Sequence, residues 1–108
     1  MAFHQKEMML GTHRVLLTTL TTGRGVPVLI QVIKDIGPLI LSGKGVDYCA
    51  MSIADKPYID TLLSGCSIQG IQVTNKTEWS DPHHKVMLIR EALLHNYGAL
   101  LNTILKKG

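Results

Sequence analysis

The last quarter of the chain, Asp81 to Lys107, admits one structure, and the rest of the fold must accommodate it. Ser80 or Asp81 can accept hydrogen bonds from the first free amides of a helix. Pro82 then falls at the first helical position, where proline has no bond to lose. Val86, Ile89, Leu93, Tyr97, Leu100 and Ile104 follow at three- and four-residue steps, which sets them along one helical face. Lys106 and Lys107 suit the negative end of the helix dipole, and Gly108 suits the stop. A second apolar row, Met87, Leu94, Leu101 and Leu105, lies beside the first and widens the arc beyond what one sheet surface covers. That second row is the expected partner interface.

The remaining sequence reads as strands. His13 to Leu20 is rich in Val, Leu and Thr, and Val26 to Ile36 is strongly β-branched, with Pro27 at its start where it does least harm. Thr21 to Gly25 between them is turn chemistry. After Gly37-Pro38 come a short strand, Leu39 to Ser42, a tight turn at Gly43-Lys44-Gly45, and a strand from Val46 to Ile53. Asp55 as a cap, Pro57, the apolar set Tyr58, Ile59, Leu62 and Leu63, and Gly65 as a stop mark a short helix. Ser67 to Thr74 returns to strand, with Gly70 marking a bulge. The fold class expected is α+β: a mainly antiparallel sheet of about five strands, with the short helix and the long C-terminal amphipathic helix packed on one face. The 108 residues make a single domain, residues 1–11 reading as a flexible N-terminal segment.

Both faces of the Val26 to Ile36 segment are apolar, because Val28, Ile30 and Val32 alternate with Leu29, Gln31 and Ile33. A two-layer domain covers one face only, so either the short helix reaches the other face or a second chain does. Charged residues make up 18% of the chain, against about 25% in an average domain. A small monomer should lean polar, so the shortfall also points to apolar surface covered by another chain. A homo-oligomer or a protein partner is therefore expected.

Gly23-Arg24-Gly25-Val26 and Gly43-Lys44-Gly45-Val46 repeat one pattern at a spacing of twenty. If the strands meander, both are hairpin tips at one end of the sheet. Arg24 and Lys44 would then share a rim, with Tyr48 close by as a stacking platform for phosphate or single-stranded nucleic acid. The net charge of +3 permits such a ligand without demanding it. The alternative is a pair of solvated turns, since glycine serves tight turns on steric grounds alone.

No reaction centre emerges. Cys49 and Cys66 lack CxxC spacing and read as buried, reduced thiols. His84, Glu91 and His95 fall on the polar face of the long helix, Glu91 with His95 has a chelating spacing and His83 adds a fourth candidate, but no supported set of three or four zinc ligands is visible. No catalytic residue, metal site or cofactor is assigned. The most apolar central stretch is interrupted by Lys34, Asp35, Gly37 and Pro38, so no membrane span is expected and the location expected is the cytoplasm. These features favour a non-enzymatic protein-interaction or self-association module using the C-terminal helix and an apolar sheet face. A small phosphate or nucleic-acid binder is the alternative, and a small enzyme with its site at a subunit interface is weaker still.

Overall fold

The computed structural model describes residues 5–74, 76–79 and 81–107, with side chains as far as Leu101. Strand β1 (Gln5–Leu10) turns through Gly11 and Thr12 into β2 (His13–Thr18). Three helices follow: α1 (Thr22–Leu41), α2 (Val46–Ser52) and α3 (Ile59–Leu62), the last running into a 3-10 turn at Leu63–Gly65. The chain then re-enters the sheet as β3 (Cys66–Ile68) and β4 (Ile71–Gln72), joined through Gln69 and Gly70, both at positive φ. Helix α4 (Pro82–Lys107) completes the order. All strand pairs are antiparallel, in the order β1-β2-β3-β4, so helices α1 to α3 form one long connection between neighbours β2 and β3.

The α+β class and the long C-terminal helix are as expected, but the sheet has four strands among the described residues rather than about five; of the expected strands His13 to Leu20 is present as β2 and Ser67 to Thr74 as the pair β3 and β4. The segments 26–36, 39–42 and 46–53, expected as strands, are helical instead. The physical reason lies in a second period within the same residues. Val28, Val32, Ile36 and Ile40 recur every four residues and are all buried in α1. Burying these four aliphatic side chains is worth about 6–12 kcal/mol together. That outweighs both the weak helix preference of β-branched residues and the roughly 3 kcal/mol that an interior proline such as Pro38 costs. Gly43 ends α1 rather than closing a hairpin. Its φ is +90°, its amide donates to the Ile40 carbonyl at 3.0 Å, and the Lys44 amide donates to Leu39 at 2.9 Å. This paired hydrogen bonding is the Schellman stop, which needs the left-handed conformation that glycine adopts without strain.

Two further departures are local. Residues 5–10, expected within the N-terminal segment, form edge strand β1. Gly70 sits in a two-residue hairpin turn rather than a bulge, with Ser67 opposite Gln72 and Ile68 opposite Ile71. Asp55 lies ahead of α3 without capping it; the N-cap position is Tyr58.

Helix α4 begins as its sequence requires. Pro82 is its first residue, and the Asp81 carboxylate accepts the His83 amide at 2.9 Å. Leu88, Ile89, Ala92 and Leu93 are fully buried, in one cluster with Val15 and Leu17 of β2, Val32 and Ile36 of α1, and Cys49 and Ala50 of α2. Helix α4 touches β1 and all three other helices, which accounts for its wide apolar arc: much of the arc is buried inside the chain. The outer face of the sheet is mixed, carrying Glu7 and Arg14 beside Met9 and Leu16, rather than the apolar face expected for a partner.

Candidate functional site

Helix α1 has two apolar sides. While Val28, Val32, Ile36 and Ile40 face the core, Val26, Ile30, Ile33 and Leu41 project roughly 120° further round the helix and are exposed, Ile30 by 59% and Leu41 by 83%. At 100° per residue the exposed four fall within one stripe, with Gly37 in line between Ile33 and Leu41. Single exposed aliphatics are ordinary, whereas a contiguous row along a 20-residue helix is the kind of surface that folded chains usually cover.

The stripe runs at its N-terminal end into a groove of ≈ 220 Å³ between α1 and α4, lined by Val26, Leu29, Leu20, Asn96 and Tyr97 among others. Three consecutive residues of α4 hold the groove's far wall against the β2–α1 connection. The Thr19 hydroxyl and His95 Nε2 lie 3.2 Å apart, Asn96 Oδ1 accepts the Leu20 amide at 2.7 Å, and the Tyr97 hydroxyl donates to the Gly25 carbonyl at 2.7 Å. Burial pushes the Tyr97 phenol up to about 12, so it stays a donor at neutral pH. The groove is therefore a rigid shoulder beside the apolar stripe.

The structure separates the residues expected to bind an anion. Arg24 lies in the first turn of α1, and Lys44 lies beyond its last, with Tyr48 in α2. A helix of 20 residues holds the two cations on the order of 30 Å apart. The shared basic rim does not exist, because the glycine-flanked segments are the two ends of one helix rather than two hairpin tips. Lys44 and Tyr48 do meet: the ammonium sits 5.1 Å from the ring centroid, which occupies the face a base would need.

The second row of α4 is divided too. Leu101 is buried inside its own chain at 1% exposure, which removes it from any interface, while Met87 and Leu94 are half-buried. The side chain of Leu105 lies outside the described residues. Leu100, expected in the core, is exposed instead. The cause is a break at Tyr97, whose φ of −129° and ψ of 20° are not helical. Beyond it the helix resumes with a different face inward.

The other reactive groups are occupied or shielded. Cys49 and Cys66 are free and buried, and burial pushes the Cys66 thiol up to about 12 and raises Cys49 as well, which suppresses the thiolate. Glu91 pairs with Lys6 at 3.6 Å and with Arg90 at 3.2 Å, and His84 lies 3.8 Å from Asp81. Among the described residues no group of three or more His, Cys, Asp or Glu side chains is placed to hold a metal ion. A cleft of ≈ 210 Å³ opens at the β4 edge of the sheet, with Leu10, Ile68 and Trp79 as its apolar lining and His13, Glu78 and His84 among its polar residues. No described helix is long and apolar enough to cross a membrane.

Sequence reasoning missed Val26, Ile30, Ile33 and Leu41 as surface residues, although their four-, three- and eight-residue spacing was present in the same run that alternates with period two. No protein-family model, curated protein or solved structure matches the chain.

Proposed function

We propose that the chain is a non-enzymatic protein-interaction module whose docking face is the outer side of helix α1, with the adjoining part of α4 as its shoulder. One observation carries this reading: Val26, Ile30, Ile33 and Leu41 form an apolar stripe that the described chain leaves between 38% and 83% exposed. The inward residues of the same helix already satisfy its packing, so the outward ones add exposed apolar surface without adding to the fold. Helix-in-groove and helix-on-helix docking both use anchors at this spacing. Self-association is the second reading, and the charged content of 18% favours it.

The test separates docking from folding. Replacing Ile30 and Ile33 together by Asn should leave the urea midpoint within about 0.5 kcal/mol of the parent chain, as for other exposed sites. Sedimentation equilibrium then reads whether the parent chain associates, alone or with an added partner, and whether the double variant does not. If the double variant loses stability as a core substitution would, on the order of 2–5 kcal/mol, the stripe is internal packing and the proposal fails.

A further inference from the structure

The exposed stripe of α1 is edged by two lysines and, among the described residues of the helix, by no free carboxylate. Lys34 borders the stripe beside Ile30, and Lys44 follows the last turn, whereas Arg24 lies on the side of the helix that faces α3, in line with Asp35. Between Thr22 and Gly45 the sequence has one acidic residue, Asp35. Its carboxylate accepts the Tyr58 hydroxyl at 2.8 Å and so faces α3 rather than the stripe. The first turn of α1 carries no acidic side chain either. The face is thus apolar along its length and positive at its C-terminal end and along one flank.

That pattern discriminates between occupants. A second copy docked symmetrically would bring Lys34, near the middle of the stripe, towards its own counterpart, with Asp35, the one carboxylate of each helix, turned towards α3. Like charges facing each other across an interface oppose assembly. A nucleic-acid strand would meet aliphatic side chains between the cations where it needs stacking surfaces. An amphipathic helix with aliphatic anchors and flanking Asp or Glu satisfies both features at once. From this charge complementarity we infer that the outer face of α1 docks an acidic amphipathic helix of another protein. The inference rests on the reading of α1 as the docking face, and adds the chemistry of the partner. The stripe supplies contact area, and the cations supply orientation and rejection of basic competitors.

The experiment uses two fluorescein-labelled synthetic helical peptides, each about 20 residues long to match α1. They carry identical leucine stripes and differ in having Glu or Lys at every flanking position. Fluorescence anisotropy with the full chain should show the Glu peptide binding at least about tenfold tighter than the Lys peptide at low salt. That preference should shrink when salt rises from about 0.1 M to about 1 M, where screening shortens from about 10 Å to about 3 Å. Lys34→Glu should reduce or invert the preference while the chain keeps its fold by circular dichroism. Ile30→Asn should weaken both peptides. Equal binding of the two peptides, lost in Ile30→Asn, overturns the acidic partner and leaves the docking face standing. Failure of the Glu peptide to bind also overturns it. So does concentration-dependent dimerisation of the parent chain that Ile30→Asn abolishes, or tighter binding to vesicles of anionic phospholipid than to the Glu peptide. Peptide binding that is unaffected by Ile30→Asn refutes the docking face itself.

Discussion

Single atoms decide the closest packing in this chain. Gly65 passes so near the Thr18 carbonyl that a Cβ at its position would overlap the oxygen and crowd the carbonyl carbon. The partner is backbone of β2, which cannot swing aside as a side chain can. Gly65→Ala should therefore push the 3-10 turn away from the sheet and destabilise the chain by about 1–3 kcal/mol, read from the urea midpoint. Gly23→Ala is the matched control, because a Cβ there meets nothing within 4 Å and the residue is helical. That change should be neutral or stabilising by about 0.4–1 kcal/mol. Equal effects at the two sites would show that Gly65 is not sterically confined. The sequence marked Gly65 as a helix stop, and it does close the α3 segment, yet its contact with Thr18 is unreadable from residue order. Forty-seven positions separate the two residues, and only the return of β3 beside β2 brings them together.

At the scale of elements, α4 shows how far periodicity reaches. Its start, cap and first three turns follow the sequence pattern, with Ile89 and Leu93 buried as that pattern requires. A straight helix would continue with Leu100 inward and Leu101 outward. The break at Tyr97 reverses them, so Leu101 is buried and Leu100 is 39% exposed. Leu101→Ala should cost about 2–5 kcal/mol and Leu100→Ala well under half of that. Equal costs, or the reverse order, would mean that α4 is straight in solution. Hydrogen bonds from elsewhere hold the break: Tyr97 to Gly25 and the Leu20 amide to Asn96. Helix α1 gives the complementary lesson. Its residues fit a period of two and a period of four equally well, and β-branched composition favours the strand. Length and the paired end signals, glycines near the start and Gly43 past the end, are what arbitrate for a helix.

For the molecule as a whole, the groups buried between layers set a limit on the alkaline side. Cys66 in β3, with an ordinary thiol value near 9, is pushed up to about 12 by burial, and Tyr97 in α4 rises from 10 to about 12 for the same reason. Each raised value means that the fold favours the protonated form. The stability they contribute is complete below the unfolded-state values and is lost as pH rises through the folded ones. The urea midpoint should therefore hold steady up to about pH 9 and fall between there and pH 12. Cys66→Ala should begin less stable but lose less over that window. A midpoint unchanged to about pH 11 would show that these groups ionise without opening the core.

What the sequence determined by itself is local. It contains the α+β class, the extent and capping of α4, the β2 strand, and the burial of both cysteines, because capping, turn chemistry and hydrophobic spacing act over a few residues. The presence of more apolar surface in Val26 to Ile36 than one core contact uses was also readable, though as the two faces of a strand. Only the tertiary structure decided that this surface belongs to a helix, since the choice depended on burying Val28, Val32, Ile36 and Ile40 against residues distant in the chain. The same long-range packing buries Leu101, turns Leu100 outward, and sets Arg24 and Lys44 at opposite ends of α1. Local propensity differs between helix and strand by about 1 kcal/mol per residue or less, whereas burying one large aliphatic side chain is worth about 1.5–3 kcal/mol. Where the two disagree, the contacts win.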